Sequence, residues 1–76
     1  MPRYVYILSA DKAFRESDLD SIKAGICVLF ASTEISVDGG KVFTIHSPFG
    51  PKDMERLALE ASLRFGLHLR AGGQID

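Results

Sequence analysis

The sequence predicts a small α+β sandwich, with helices on one face of a mainly antiparallel sheet. Three observations predict it. A run rich in β-branched and aromatic residues, "RYVYILS", opens the chain. Two alternating runs, "EISV" and "KVFTIHS", flank a glycine pair, with the period of half-buried strands. A long amphipathic segment, Pro51 to Phe65, follows them and has the period of a helix.

In "RYVYILS", Arg3 to Ser9, the residues Tyr4, Tyr6 and Leu8 share one face, and Val5 and Ile7 the other. Both faces are apolar, which places the strand centrally in its sheet. "SADKAFRESDLDSIKAG" is polar with scattered apolar residues. Ser17 and Asp20 read as a capping box, with Asp in place of the usual Glu. Leu19 and Ile22 share a helical face, and Gly25 suits the first position beyond a helix end. A short helix over 17–24 is predicted, preceded by a turn around Asp11 to Glu16.

"ICVLFASTEISV", Ile26 to Val37, begins as a continuous apolar run, as a strand buried on both faces does. "STE" breaks the pattern and predicts a bulge or bend. Asp38-Gly39-Gly40 between alternating runs predicts a hairpin. A three-residue loop of Asp38, Gly39 and Gly40 sets Ile35 opposite Phe43 and Thr33 opposite Ile45. A two-residue loop would set Phe43 opposite Glu34, so the three-residue register sorts apolar from polar better. Ser32, Glu34, Ser36, Val42, Thr44 and His46 then occupy the solvent face.

"SPFGPKDM" reads as the start of a helix. Gly50 stands at the N-cap and Pro51 at N1, where a missing N–H costs nothing. Asp53 lies in the first turn, where the helix dipole favours an acid. Phe49 and Met54 hold the two positions of a hydrophobic staple. The competing reading makes Phe49 the tip of a recognition loop. Along the helix, Met54, Leu57, Ala58, Ala61 and Phe65 form the core stripe. Leu59 and Leu63 fall on the opposite side, among Lys52, Arg56, Glu60 and Arg64. Glu60 and Arg64 form an i,i+4 pair. Gly66 ends the helix, and Leu67 to Arg70 alternate like a short last strand. If the helix continued instead, Leu67 would extend the Leu59 and Leu63 stripe. The segment 71–76 is expected to be a mobile tail. The order strand, helix, strand, strand, helix and short strand is that of a ferredoxin-like sandwich.

Composition limits the function. A chain of 76 residues is expected to be a single domain over 1–76 with a small core. It is 46% hydrophobic and 25% charged, an ordinary globular mixture. The net charge of −1 gives no general attraction to phosphate backbones or anionic membranes. The acidic patch of Asp11, Glu16, Asp18 and Asp20 is diluted by Lys12 and Arg15. The longest apolar run, Ala24 to Ala31, is far short of the roughly 20 residues of a membrane span. The first residues lack the features of a signal peptide and are expected to lead directly into a strand. One cysteine, Cys27, excludes an internal disulfide and suits a cytoplasmic location.

No metal or cofactor is expected. Cys27, His46 and His68 lack ligand spacing, and Cys27 sits in the most apolar run. No nucleophile elbow is present, so no enzyme activity and no catalytic residue are expected. "VDGGK" joins two strands and so is no phosphate loop. "YVYIL" resembles the first-strand motif of the RNA-recognition-motif family, which stacks bases on sheet aromatics. "KVFTIHSPF" lacks the glycines of that family's third strand, so the family is not assigned. The alternative function is nevertheless a single-stranded nucleic-acid-binding module, using Tyr4, Tyr6 and Lys41 on the open sheet face.

The leading expectation is a non-catalytic protein-interaction module. Its partner-binding residues are Leu59, Leu63, Arg56, Arg64 and Phe49, with the arginines rimming an apolar centre. The partner is a larger protein or complex, or a second copy forming a homodimer. Such a module acts as a stoichiometric inhibitor or regulator. Small mobile-element antagonists of host defence, anti-CRISPR proteins among them, belong to that class.

Overall fold

The computed structural model describes residues 3–32 and 34–75. Six elements follow in the order β1 (Tyr4–Ser9), α1 (Glu16–Phe30), β2 (Glu34–Asp38), β3 (Val42–Ser47), α2 (Pro51–Phe65) and β4 (His68–Gln74). The strands form one antiparallel sheet ordered β2-β3-β1-β4. Both helices pack on one face, giving the predicted ferredoxin-like sandwich.

β1 is central because both its neighbours need it. Tyr6 pairs with Ile45 on one side and Gly72 on the other. Tyr6 and Leu8 face the helices and are buried. Phe43 and Ile45 of β3 meet them there, with Ile26 and Phe30 of α1, and Met54, Leu57 and Ala61 of α2. The stripe predicted for α2 is thus its inward face, with Met54, Leu57 and Ala61 buried and Ala58 and Phe65 half-buried.

The hairpin register is shifted by two residues from the expected one. Ile35 pairs with Ile45 and Val37 with Phe43. Asp38 pairs with Val42, so the loop is Gly39, Gly40 and Lys41. Both glycines have positive φ, 62° and 71°, which lets them carry the reversal and frees Asp38 for the ladder. A two-residue shift keeps every side chain on its expected face. The expected Thr33 pairing lies outside the described residues.

α1 corrects the sequence reading most. It runs from Glu16 through Gly25 to Phe30, so Ile26 to Phe30 are helix and not strand. Arg15 stands at the N-cap without a side-chain cap, so the Ser17 and Asp20 box is not used. Burial explains the length. Leu19, Ile22, Ile26 and Phe30 recur at helical spacing and all pack on the core. Val28, inside the apolar run, is 84% exposed. Gly25 ends nothing. A Cβ on it would lie 2.5 Å from Cζ of Phe65, so the glycine lets α2 approach. The helix ends at Ala31, whose φ of 49° and ψ of 43° are left-handed. The bulge or bend expected at "STE" includes Thr33, which lies outside the described residues; α1 ends at Phe30 before it and β2 begins at Glu34.

α2 begins and ends as expected. Gly50 is the N-cap, Pro51 follows it, and Gly66 closes the helix at φ 68°. The Gly66 and Leu67 amides donate to Ser62 and Ala61 carbonyls, which satisfies the last turn. Leu67 is fully buried, so it belongs to the core and not to an outer stripe. Ala71 to Gln74, expected as a tail, are instead the second half of β4. They pair with Tyr4 to Ile7, and the Ile75 amide donates to the Arg3 carbonyl at 2.8 Å. The Tyr6 ring fills the space over Gly72, where a Cβ would lie 2.5 Å from its Cδ1, so a strand of small residues still packs.

Candidate functional site

The turn leading into α2 is held from three elements. Ser47, at the end of β3, is buried. Its hydroxyl donates to the Phe30 carbonyl at 2.6 Å and accepts from the Phe49 amide at 3.1 Å. The Phe30 carbonyl is one of the unpaired groups at the end of α1, so Ser47 caps one helix while fixing the approach to the other. The Tyr6 hydroxyl donates to the Phe49 carbonyl at 2.7 Å. Burial raises the Tyr6 pKa, helped by the neighbouring Tyr4 and by the Asp53 carboxylate. Phe49 is therefore fixed at both its N–H and its C=O, and its half-buried ring packs on the core. This fits the helix-start reading better than a free recognition tip.

α1 and α2 leave a groove of about 550 Å³ between them. Gly25, Val28 and Leu29 of α1 line it, with Phe49 at one side and Arg56, Leu57, Arg64 and Phe65 of α2. Leu59 and Leu63 are 60% and 74% exposed and lie outside its lining. Arg64 is held by Glu60, with Nε 2.9 Å from Oε2. The structure thus brings Phe49, Arg56 and Arg64 together around one groove and leaves Leu59 and Leu63 exposed on the same helix as the two arginines. Val28, which sequence reasoning buried in a strand, adds a third exposed apolar side chain. Its signal was the helical spacing of Ile22, Ile26 and Phe30, which leaves Val28 off the core stripe.

The nucleic-acid residues do not assemble. Tyr4 and Tyr6 stack with centroids 6.2 Å apart, but on the helix side of the sheet. Tyr6 is buried there, so the expected placement of the pair on the open face is corrected. Alternation put Tyr4, Tyr6 and Leu8 together correctly; Leu8 in the core shows which face they share. Lys41 is in the hairpin loop, beside the Ala10 end of β1 and away from Tyr4. The open face carries Val5, Ile7, Val42, Thr44 and His46, with no Tyr or Phe among them. His46 faces Glu34 across the strands, Nδ1 to Oε2 at 3.6 Å, and Arg70 donates to the Ser9 hydroxyl at 2.6 Å.

Among the described residues, no three of His, Cys, Asp and Glu gather as metal ligands. Cys27 is free and half-buried. No described helix is long and apolar enough to cross a membrane. No protein-family model, curated protein or solved structure matches the chain.

Proposed function

We propose that this protein binds a larger protein through its helical face and acts as a stoichiometric inhibitor or regulator in the cytoplasm. The observation that carries the reading is the exposure of Val28, Leu59 and Leu63, three large apolar side chains on the two neighbouring helices. Water-exposed apolar groups of this size gain on burial by a partner, at about 25 cal/mol per Å². Arg56 and Arg64 border the groove and favour a partner with acidic groups around an apolar centre. The mechanism is steric: a rigid two-helix face occupies a surface that the partner needs. Mobile-element antagonists of host defence work in this way, and the proposal extends to that class.

Capture from native lysate, with and without nuclease, tests the reading. The expected result is a protein retained at a fixed ratio after nuclease. Retention of nucleic acid alone, or of proteins lost with it, contradicts the reading.

A further inference from the structure

A second groove, of about 460 Å³, lies on the helix side of the sheet beside β4. Tyr4 and Tyr6 of β1, Pro51, Met54 and Glu55 of α2, and Leu69 and Gly72 of β4 line it. It runs along a sheet edge, because β4 is the last strand in the order. We infer that the outer edge of β4 at Gly72 is a strand-docking site, taking an extended segment of another protein whose apolar side chain enters this groove opposite Gly72.

Three observations support it. The first is hydrogen bonding. The Ile75 amide bonds to Arg3, so alternation in the antiparallel ladder points Gly73 and Ala71 toward β1. The Gly72 N–H and C=O then face away from the sheet, where an added strand pairs with them. The second is side-chain direction. Gly72 pairs with buried Tyr6, so its missing side chain is on the helix side. A docked residue opposite Gly72 shares that face and directs its side chain into the groove. The third is edge protection. β2, the other edge, is five residues long and carries exposed Glu34 and Asp38, which deter strand addition. β4 carries Arg70 and the bulge in its first half, but its second half, Ala71 to Gln74, carries no charge.

The occupant is not a second copy. β4 is regular only beyond the bulge opposite Ile7 and Leu8. There it offers just Gly72 and Gln74 on the helix side, so edge-to-edge pairing would leave the groove without an apolar side chain. Among the described residues, Glu55 is the one charged residue of the lining. It favours Lys or Arg on the docked strand, two residues from the apolar one and on the same face. This site is separate from the outer helical face and does not rest on the reading above.

The test selects peptides from a random display library against the whole protein. The winning peptide is then synthesised and titrated into isotope-labelled protein. The enriched sequences should share an aromatic or long aliphatic residue with Lys or Arg two positions away. The Gly72 amide should shift, and its hydrogen exchange should slow by about tenfold or more. Gly72→Val should abolish binding. Should that variant not fold against Tyr6, Glu55→Lys, at an exposed position, should weaken binding about tenfold with the fold unchanged. An absence of enriched peptides overturns the inference. So do shifts confined to the helical face around Leu59 and Leu63, or an edge-paired dimer detected by light scattering.

Discussion

Gly25 and Phe65 share one space, and each makes sense only through the other. Glycine inside a helix ordinarily costs about 1 kcal/mol relative to alanine. Here the Cβ of alanine would stand 2.5 Å from the Phe65 ring. Gly25→Ala is therefore expected to destabilise the protein in urea unfolding. In a Phe65→Ala background the same change should stabilise by about 1 kcal/mol. Ser47 is the second such residue. Its hydroxyl serves both the Phe30 carbonyl and the Phe49 amide. Ser47→Ala should cost about 1–3 kcal/mol, since a buried carbonyl loses its donor. Tyr6 provides a pH test. Its pKa is raised in the folded state above the unfolded value of about 10, chiefly by burial. The neutral phenol is the form that the fold favours. Its contribution is full below about pH 10 and is lost as pH rises through the folded value. Unfolding curves should show stability falling on that alkaline side, and Tyr6→Phe should flatten the fall.

Among the elements, the end of α1 stores strain. Ala31 is left-handed, a conformation that disfavours a Cβ by about 1 kcal/mol or more. Ala31→Gly should raise stability by about that amount in thermal unfolding, less the extra freedom glycine adds to the unfolded chain. α1 also shows where sequence reasoning stops. α2 was legible because Gly50, Pro51 and Gly66 mark its ends and one stripe marks its core. The hairpin faces were legible because alternation fixes them, although the loop position was two residues off. The second half of α1 was not legible. "ICVLF" is apolar enough for a buried strand, and Gly25 looks like a stop. Only contact with Phe65 reveals why a glycine stays inside the helix. β4 was half-legible for a related reason. Ala71, Gly72 and Gly73 have weak strand propensity, and their place comes from pairing with β1 and from the Tyr6 ring over Gly72. Leu59 and Leu63 were legible as outward residues, but Val28 was hidden by the misread strand. The aromatic pair in β1 was legible as a pair, though not as to which face it joins.

At the scale of the whole molecule, the sandwich has three surfaces of different character. The open sheet face is mixed, with Glu34 beside His46 and Arg70 bonded to Ser9. The β4 edge joins the outward-facing Gly72 backbone to an apolar slot. The helical face exposes Val28, Leu59 and Leu63 beside two arginines, and on it rests the claim of a protein-binding inhibitor or regulator. One comparison tests that claim most directly: the wild-type protein against a Leu59→Glu, Leu63→Glu double variant. Urea unfolding and binding to the captured partner would be measured on both. Unfolding free energies should lie within about 0.5 kcal/mol of each other, as for exposed positions, with partner binding lost. An unfolded variant would show that these leucines support the fold. A folded variant with binding intact would remove the helical face as the site.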